Sequence, residues 1–182
     1  GGSSTTFING PVLKKTNTTA LFTFPIGKNT TFMKLGIEPN NTNATTFTAE
    51  FFDDTASSYN TTKLGAGLNR VSKLEYFQLD RGGSGVKADA KITLYWDASS
   101  AVTSAYLADL RVSRWTGTQW EDKGNSAYTG DGTSGSVTSN VVTTFSPFTL
   151  GSSTSNNPLP VKLLSFDVSA FSNGVETNWA TA

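Results

Sequence analysis

Apolar and polar residues alternate along several stretches of the chain. The longest stretch covers 86–96, where every second residue is apolar and most of the residues between are charged or polar. A two-residue period of this kind is typical of a β-strand with one buried face. The same pattern returns at 46–53 and 71–80. Shorter strand patterns lie at 21–26, 31–37, 108–115, 119–123, 135–139 and 141–150.

Clusters of Gly, Pro and Asn separate these stretches and favour turns. No segment keeps a helical period, and the best helical candidate, 99–107, is short. Many short strands without helices between them predict an all-β fold, an antiparallel β-sandwich of immunoglobulin or jelly-roll type with no substantial helix. The alternation also predicts which side chains are buried between the two sheets: Phe47, Phe51, Ile92, Leu94, Trp96, Leu110 and Val112.

The domain organisation is indicated by a polar segment, GSSTSNNPLP, at 151–160. We predict a sandwich module at 1–151, a linker at 152–160 and the two-strand start of a truncated second module at 161–182. The chain would then be part of a longer protein. Leu164, Phe166 and Val168 share one apolar face, so we expect this hairpin to dock on the sandwich or on a second copy of the chain. We expect 152–157 to be the most mobile interior stretch.

Composition excludes several classes of function. The chain has 182 residues and contains no His and no Cys, which removes His-based catalytic triads and the usual ligands of zinc, haem and iron–sulfur clusters. Lys+Arg and Asp+Glu are both 14, so there is no basic footprint for nucleic acid. No apolar run has the length of a membrane-spanning helix. We therefore predict no nucleic-acid partner, no membrane span and no enzymatic activity.

Aromatic residues supply the first candidate site. Trp115 and Trp120 flank a short Gly-containing loop, and Tyr95 and Tyr128 are candidate neighbours. Together they could form a platform on which a sugar ring stacks, because the apolar face of a pyranose packs flat on an aromatic ring. The alternative is a cross-strand Trp pair that stabilises a hairpin.

Carboxylates supply two further candidates. Asp53, Asp54 and Asp131 could hold a structural calcium ion, the one cofactor we consider, or they could be ordinary turn formers. A glycosidase would need two carboxylates facing each other across a cleft. Most of the available ones occupy polar positions of alternating strands, where solvated charges are expected. They are Glu50, Glu75, Asp80, Asp97, Glu121 and Asp122.

Residues 158–179, PLPVKLLSFDVSAFSNGVETNW, carry an LPV-x-LLSF element followed by a turn and a second strand ending in Trp. This segment resembles the opening of a fibronectin-like module that precedes the type IX secretion sorting domain in exported proteins of Bacteroidetes-type bacteria. Upstream segments such as FTFPIGK (22–28) and LRVSRWTGTQWED (110–122) resemble a sandwich module of large secreted or cell-surface proteins of such bacteria. The resemblance implies export and no particular activity. Thr55, within Asp54-Thr55-Ala56, matches the O-glycosylation pattern of the same bacteria.

These observations together favour a non-catalytic structural, adhesive or spacer module of a secreted or cell-surface bacterial protein. The alternative is a carbohydrate-binding module that anchors a polysaccharide-acting parent protein. Its partners would be polysaccharides or other surface proteins. A glycoside-acting enzyme is a third, weaker alternative.

Overall fold

The computed structural model describes residues 2–53, 59–159 and 163–181, and Asp54 and Thr55 lie outside these ranges. The described residues form fifteen strands and two short 3-10 helices. The strands are β1 (Ile8–Asn9), β2 (Val12–Thr16), β3 (Phe22–Lys28), β4 (Thr31–Pro39), β5 (Thr45–Phe52), β6 (Arg70–Val71), β7 (Tyr76–Gly82), β8 (Ala90–Asp97), β9 (Leu110–Trp115), β10 (Trp120–Asp122), β11 (Ala127–Gly130), β12 (Ser134–Thr138), β13 (Phe148–Ser152), β14 (Leu163–Phe171) and β15 (Gly174–Thr181). The helices are Ala98–Ser100 and Ser104–Asp109.

Two sheets form the sandwich. The first has the order β1-β3-β4-β8-β12-β11, and the second has the order β10-β9-β13-β7-β5-β2, with β6 beside β13. Neighbouring strands run antiparallel except for the short β1, which pairs with β3 in parallel. A single hydrophobic core contains side chains from both sheets. The predicted all-β fold without substantial helix is confirmed.

The side chains that the alternating pattern predicts to be buried all lie in the hydrophobic core. In β8, Ile92 and Leu94 are fully buried and Trp96 is 3% exposed, and in β5 Phe47 and Phe51 are fully buried. Leu110 and Val112 of β9 complete the predicted set, and both are buried as well. Each large apolar side chain that leaves water contributes roughly 1.5–3 kcal/mol to folding. This shared interior holds the two sheets together.

The long alternating stretch at 86–96 is only partly a strand. Strand β8 begins at Ala90, and Val86 is 81% exposed. Gly83 and Gly85 have φ values of +112° and +73°, a backbone conformation that favours glycine and breaks the extended chain just before this stretch. The alternation therefore predicts the correct faces but places the start of the strand too early.

The predicted linker is bound to the sandwich. Ser152 is the last residue of β13 and is fully buried, and Leu159 is 2% exposed. The buried side chain of Asn157 accepts a hydrogen bond from the Thr103 backbone N–H (2.9 Å) and donates one to the Tyr106 carbonyl (2.7 Å). These bonds attach the segment to the 3-10 helical region, which argues against the prediction that 152–157 is the most mobile interior stretch.

Strands β14 and β15 form a separate two-stranded antiparallel sheet. Phe166 pairs with Trp179 and Val168 with Thr177, so the apolar side chains gather on one face. Phe166 is 58% exposed and Trp179 is 65% exposed. Docking of Phe166 on the sandwich is therefore not observed, docking on a second copy of the chain stays a prediction, and the side chain of Leu164 lies outside the described part of the structure.

Candidate functional sites

The two tryptophans of the predicted platform lie opposite each other on a hairpin. Trp115 ends β9 and Trp120 begins β10, and the two are paired in register. Their ring centroids are 5.6 Å apart with an interplanar angle of 60°. The turn between them is closed by the Thr116 N–H, which donates to the Gln119 carbonyl (2.9 Å). This geometry is that of a stabilising edge-to-face pair.

A loop covers the second tryptophan. The backbone N–H of Trp120 donates to the Lys63 carbonyl (2.8 Å), and its carbonyl accepts from the Gly65 N–H (2.7 Å). Tyr59 lies against both indoles, with ring centroids 6.0 Å from Trp115 and 6.2 Å from Trp120. Trp120 is only 1% exposed as a result. Its ring cannot stack on a sugar without displacement of this loop, which favours the structural interpretation of the pair.

The two tyrosines of the predicted platform belong to the other sheet. Tyr95 lies in β8 and Tyr128 in β11, whereas β9 and β10 belong to the second sheet. Lys34 Nζ lies over the Tyr95 ring, 4.5 Å from its centroid. Tyr128 is 47% exposed. The structure therefore does not bring the four predicted aromatic residues together.

A groove of about 420 Å³ lies at one end of the first sheet, beside the start of β4, the end of β8 and the start of β12. Leu35 and Leu94 point into the core, so the alternating neighbours Lys34 and Tyr95 lie on the outer face of the sheet. Phe32 and Asp97 also line the groove. The sequence placed Tyr95 with Trp115 and Trp120, because the alternating pattern of a strand does not show which strands are its neighbours in the sheet.

The polar groups of this groove are partly held in place. Asp97 Oδ1 accepts hydrogen bonds from Ser99 N (2.8 Å) and Ser99 Oγ (2.5 Å), which caps the 3-10 helix at Ala98–Ser100. Both bonds end on Oδ1, so the second carboxylate oxygen keeps its lone pairs for another donor. Ser134 pairs with Asp97 across β12 and β8 and also lines the groove.

Of the three predicted calcium residues, the structure describes Asp53 and Asp131, which adjoin strands of different sheets. Asp53 accepts a hydrogen bond from Thr31 Oγ1 (3.0 Å), and Asp54 lies outside the described residues. Asp131 Oδ1 accepts from the Thr133 N–H (2.7 Å) and hydroxyl (2.6 Å), and these bonds lower the pKa of its carboxyl. Within 2–53, 59–159 and 163–181, no three His, Cys, Asp or Glu side chains are placed to hold a metal ion. Asp131 thus has the geometry of a turn former.

Three of the carboxylates considered for catalysis form ion pairs. Glu50 bonds to Lys28 Nζ (3.1 Å), and Glu121 bonds to Lys123 Nζ (2.7 Å). Asp122 lies 3.3 Å from Arg111 Nε. Each pair is close to the protein surface. A structural ion pair is therefore sufficient to explain the position of each carboxylate, and no catalytic role is needed.

Glu75 departs from the expectation that these carboxylates are solvated. Its side chain is 4% exposed, and Oε1 has no hydrogen-bond partner among the described residues. Burial raises the pKa of this carboxyl to about 7; the nearby Ser100 hydroxyl works against the rise, and the charges of Asp97 and Asp53 add to it. Like Glu75 Oε1, the Ser100 hydroxyl has no hydrogen-bond partner among the described residues. The available signal was the position of Glu75 inside the largely apolar segment LEYFQL at 74–79.

No protein-family model, curated protein or solved structure matches this chain. Among the described residues, no helix has the length and apolar character needed to cross a membrane.

Proposed function

We propose that the chain is a non-catalytic structural, adhesive or spacer module of a secreted or cell-surface bacterial protein. The observation that carries the proposal is that the candidate functional side chains are engaged within the fold itself. Trp120 is enclosed by a loop, and Glu50, Glu121 and Asp122 are ion-paired. Glu75 is buried away from solvent. Side chains that are enclosed or ion-paired in this way are not available to a ligand.

Bacterial export rests on the resemblance of 158–179 to the fibronectin-like module and of the upstream segments to surface-protein sandwiches. The many paired strands agree with such a role, because a sandwich built from two sheets resists extension along the chain through its interstrand hydrogen bonds. Labelling of intact producing cells with an antibody against the chain tests exposure at the surface. Labelling only after cell lysis would contradict it.

The absence of catalysis is tested by incubating the purified chain with soluble polysaccharides and measuring new reducing ends. We expect no release above that of a heat-denatured control. Release that disappears in a double variant, Glu50→Gln with Glu121→Gln, would contradict the proposal and support a glycoside-acting enzyme.

Carbohydrate binding is the second candidate. The observation that favours it is the groove beside β4, β8 and β12, where aromatic rings, hydroxyls and a carboxylate lie together. The Trp115–Trp120 pair does not carry this candidate, because Trp120 is enclosed.

A further inference from the structure

The groove combines residues that are far apart in the chain. Phe32 and Lys34 come from β4, Tyr95 and Asp97 come from β8, and Ser134 begins β12. Its volume of about 420 Å³ falls within the range of small-molecule sites, roughly 300–1,000 Å³. These residues lie on a sheet, which holds their relative positions more firmly than a loop would.

Two aromatic rings of the groove are braced from one side. The Phe32 ring stacks on Phe7, with centroids 5.8 Å apart and an interplanar angle of 28°. Gly27 makes room for this stack, because a Cβ at that position would meet the Phe7 ring at 2.5 Å. Lys34 Nζ in turn lies 4.5 Å from the Tyr95 ring centroid. Rings held in this way lose little conformational entropy when a ligand packs against them.

The polar groups of the groove fit hydroxyl-bearing ligands. Asp97 has a carboxylate oxygen available as an acceptor, since its bonds from Ser99 both end on Oδ1. The Lys34 ammonium is a donor beside the Tyr95 ring. Ser134 is exposed and adds a hydroxyl that can donate and accept, whereas the exposed Ser99 hydroxyl donates its hydrogen to Asp97 and can only accept from a ligand. A carboxylate that accepts from two neighbouring hydroxyls makes charge-assisted hydrogen bonds, which are stronger than neutral ones.

We propose that this groove binds a neutral oligosaccharide, with Phe32 and Tyr95 contacting the apolar surface of the sugar and Asp97 accepting from its hydroxyls. This inference rests on carbohydrate binding, the second candidate function, and places the binding site in the groove instead of at the Trp115–Trp120 pair. The ligand is neutral because Asp97 and Lys34, the two charged side chains among the described lining residues, have opposite signs and leave the groove without a net charge to attract an acidic sugar.

The test is affinity electrophoresis of the full chain in gels containing soluble xylan, mixed-linkage β-glucan, galactomannan or arabinogalactan, with polygalacturonate as the acidic member. The variants are Tyr95→Ala, Tyr95→Phe and Asp97→Asn. Asparagine keeps an oxygen that can cap Ala98–Ser100. Tyr128→Ala is the matched control, because Tyr128 is an exposed tyrosine of the same sheet that does not line the groove. Circular dichroism checks that each variant is folded.

We expect at least one neutral polysaccharide to retard the chain. Tyr95→Ala and Asp97→Asn should each weaken that binding by about tenfold or more, while Tyr95→Phe and Tyr128→Ala stay close to the parent chain. The proposal is overturned if no neutral polysaccharide retards the chain, or if Tyr128→Ala weakens binding as much as Tyr95→Ala does. Retardation by polygalacturonate alone, strengthened by Asp97→Asn, would overturn the assignment to neutral sugars. None of these outcomes depends on the turnover measurement that tests the absence of catalysis.

Discussion

The sandwich and the β14–β15 hairpin have the same alternating pattern and different burial. In the sandwich, each apolar face meets the apolar face of the other sheet, and Phe77 is fully buried. In the hairpin, Phe166, Val168, Val175 and Trp179 are all more than half exposed. The strands of both regions are paired with neighbours, but only those of the sandwich pack against a second layer. Alternation gives a strand an apolar face, but this face stabilises the fold only when a second layer packs on it and removes it from water.

The largest difference in stability is expected between substitutions of two phenylalanines, one in the sandwich core and one in the hairpin. Phe77 is fully buried and packs on Phe51, with ring centroids 5.2 Å apart. We expect Phe77→Ala to lower the free energy of unfolding by about 3–5 kcal/mol, because it leaves a cavity in the core. Phe166→Ala in the hairpin should change it by less than about 1 kcal/mol. Urea unfolding monitored by tryptophan fluorescence measures both, and equal losses would show that the hairpin face is covered in solution.

The second effect concerns a buried carboxyl. Because the pKa of Glu75 is raised from 4.5 to about 7 in the folded chain, the contribution of this group to stability is fully present below pH 4.5. It falls as the pH rises through 7, by about 3 kcal/mol in total, since folding then buries a charged group.

We expect Glu75→Gln to remove this decline, so that the variant gains stability relative to the parent chain above pH 7. Glu176→Gln, at an exposed position of the hairpin, is the control and should keep the parent pH dependence. Unfolding free energies measured between pH 4 and pH 9 test the prediction, which fails if the parent and Glu75→Gln curves stay parallel.

The third expected difference in stability is between a buried asparagine of the sandwich and an exposed asparagine of the hairpin. Asn157 is fully buried, and its amide links Thr103 to Tyr106. Asn157→Ala should cost about 1–3 kcal/mol, because it leaves a buried backbone donor and acceptor without partners. Asn178→Ala, on the exposed polar face of the hairpin, should cost less than about 0.5 kcal/mol. An Asn157→Ala variant as stable as the parent would show that 152–159 is not anchored in solution.

The smallest expected effect is that of removing the hairpin. A chain that ends at Leu159 keeps both sheets and the core residues that they share. We expect its free energy of unfolding to match that of the full chain within about 0.5 kcal/mol. Differential scanning calorimetry of the two chains provides the measurement. A loss well above 1 kcal/mol would mean that the hairpin covers part of the sandwich in solution.

Much of the fold could be predicted from residue patterns. All seven predicted core side chains are buried, and the Trp115–Trp120 hairpin has the expected pairing. The short strands β1, β2 and β11 were not predicted, because their sequences lack a clear apolar face and the strands owe their conformation to pairing with neighbours. The stretch 141–150 contains strand only from Phe148, since Ser146-Pro147 interrupts it.

The candidate sites were harder to predict than the fold. The sequence leaves Trp120 open between an exposed sugar platform and a structural hairpin pair, and it predicts a solvated position for Glu75. A loop encloses Trp120, and the fold buries Glu75 beside Ser100. The loop over Trp120 is distant in the chain, so no local period records it, whereas Glu75 has the same two-residue parity as the buried Phe77 and Leu79.

The sequence alone determined the all-β class, the inward and outward faces of the central strands and the absence of His- and Cys-based chemistry. The first two properties follow from the two-residue period of an extended backbone, and the third follows from composition. Only the tertiary structure decided that β4 lies beside β8, which assembles the groove, and that the hairpin face is left open. The physical reason is that strand order and coverage depend on contacts between distant segments, and many different pairings satisfy the same alternation.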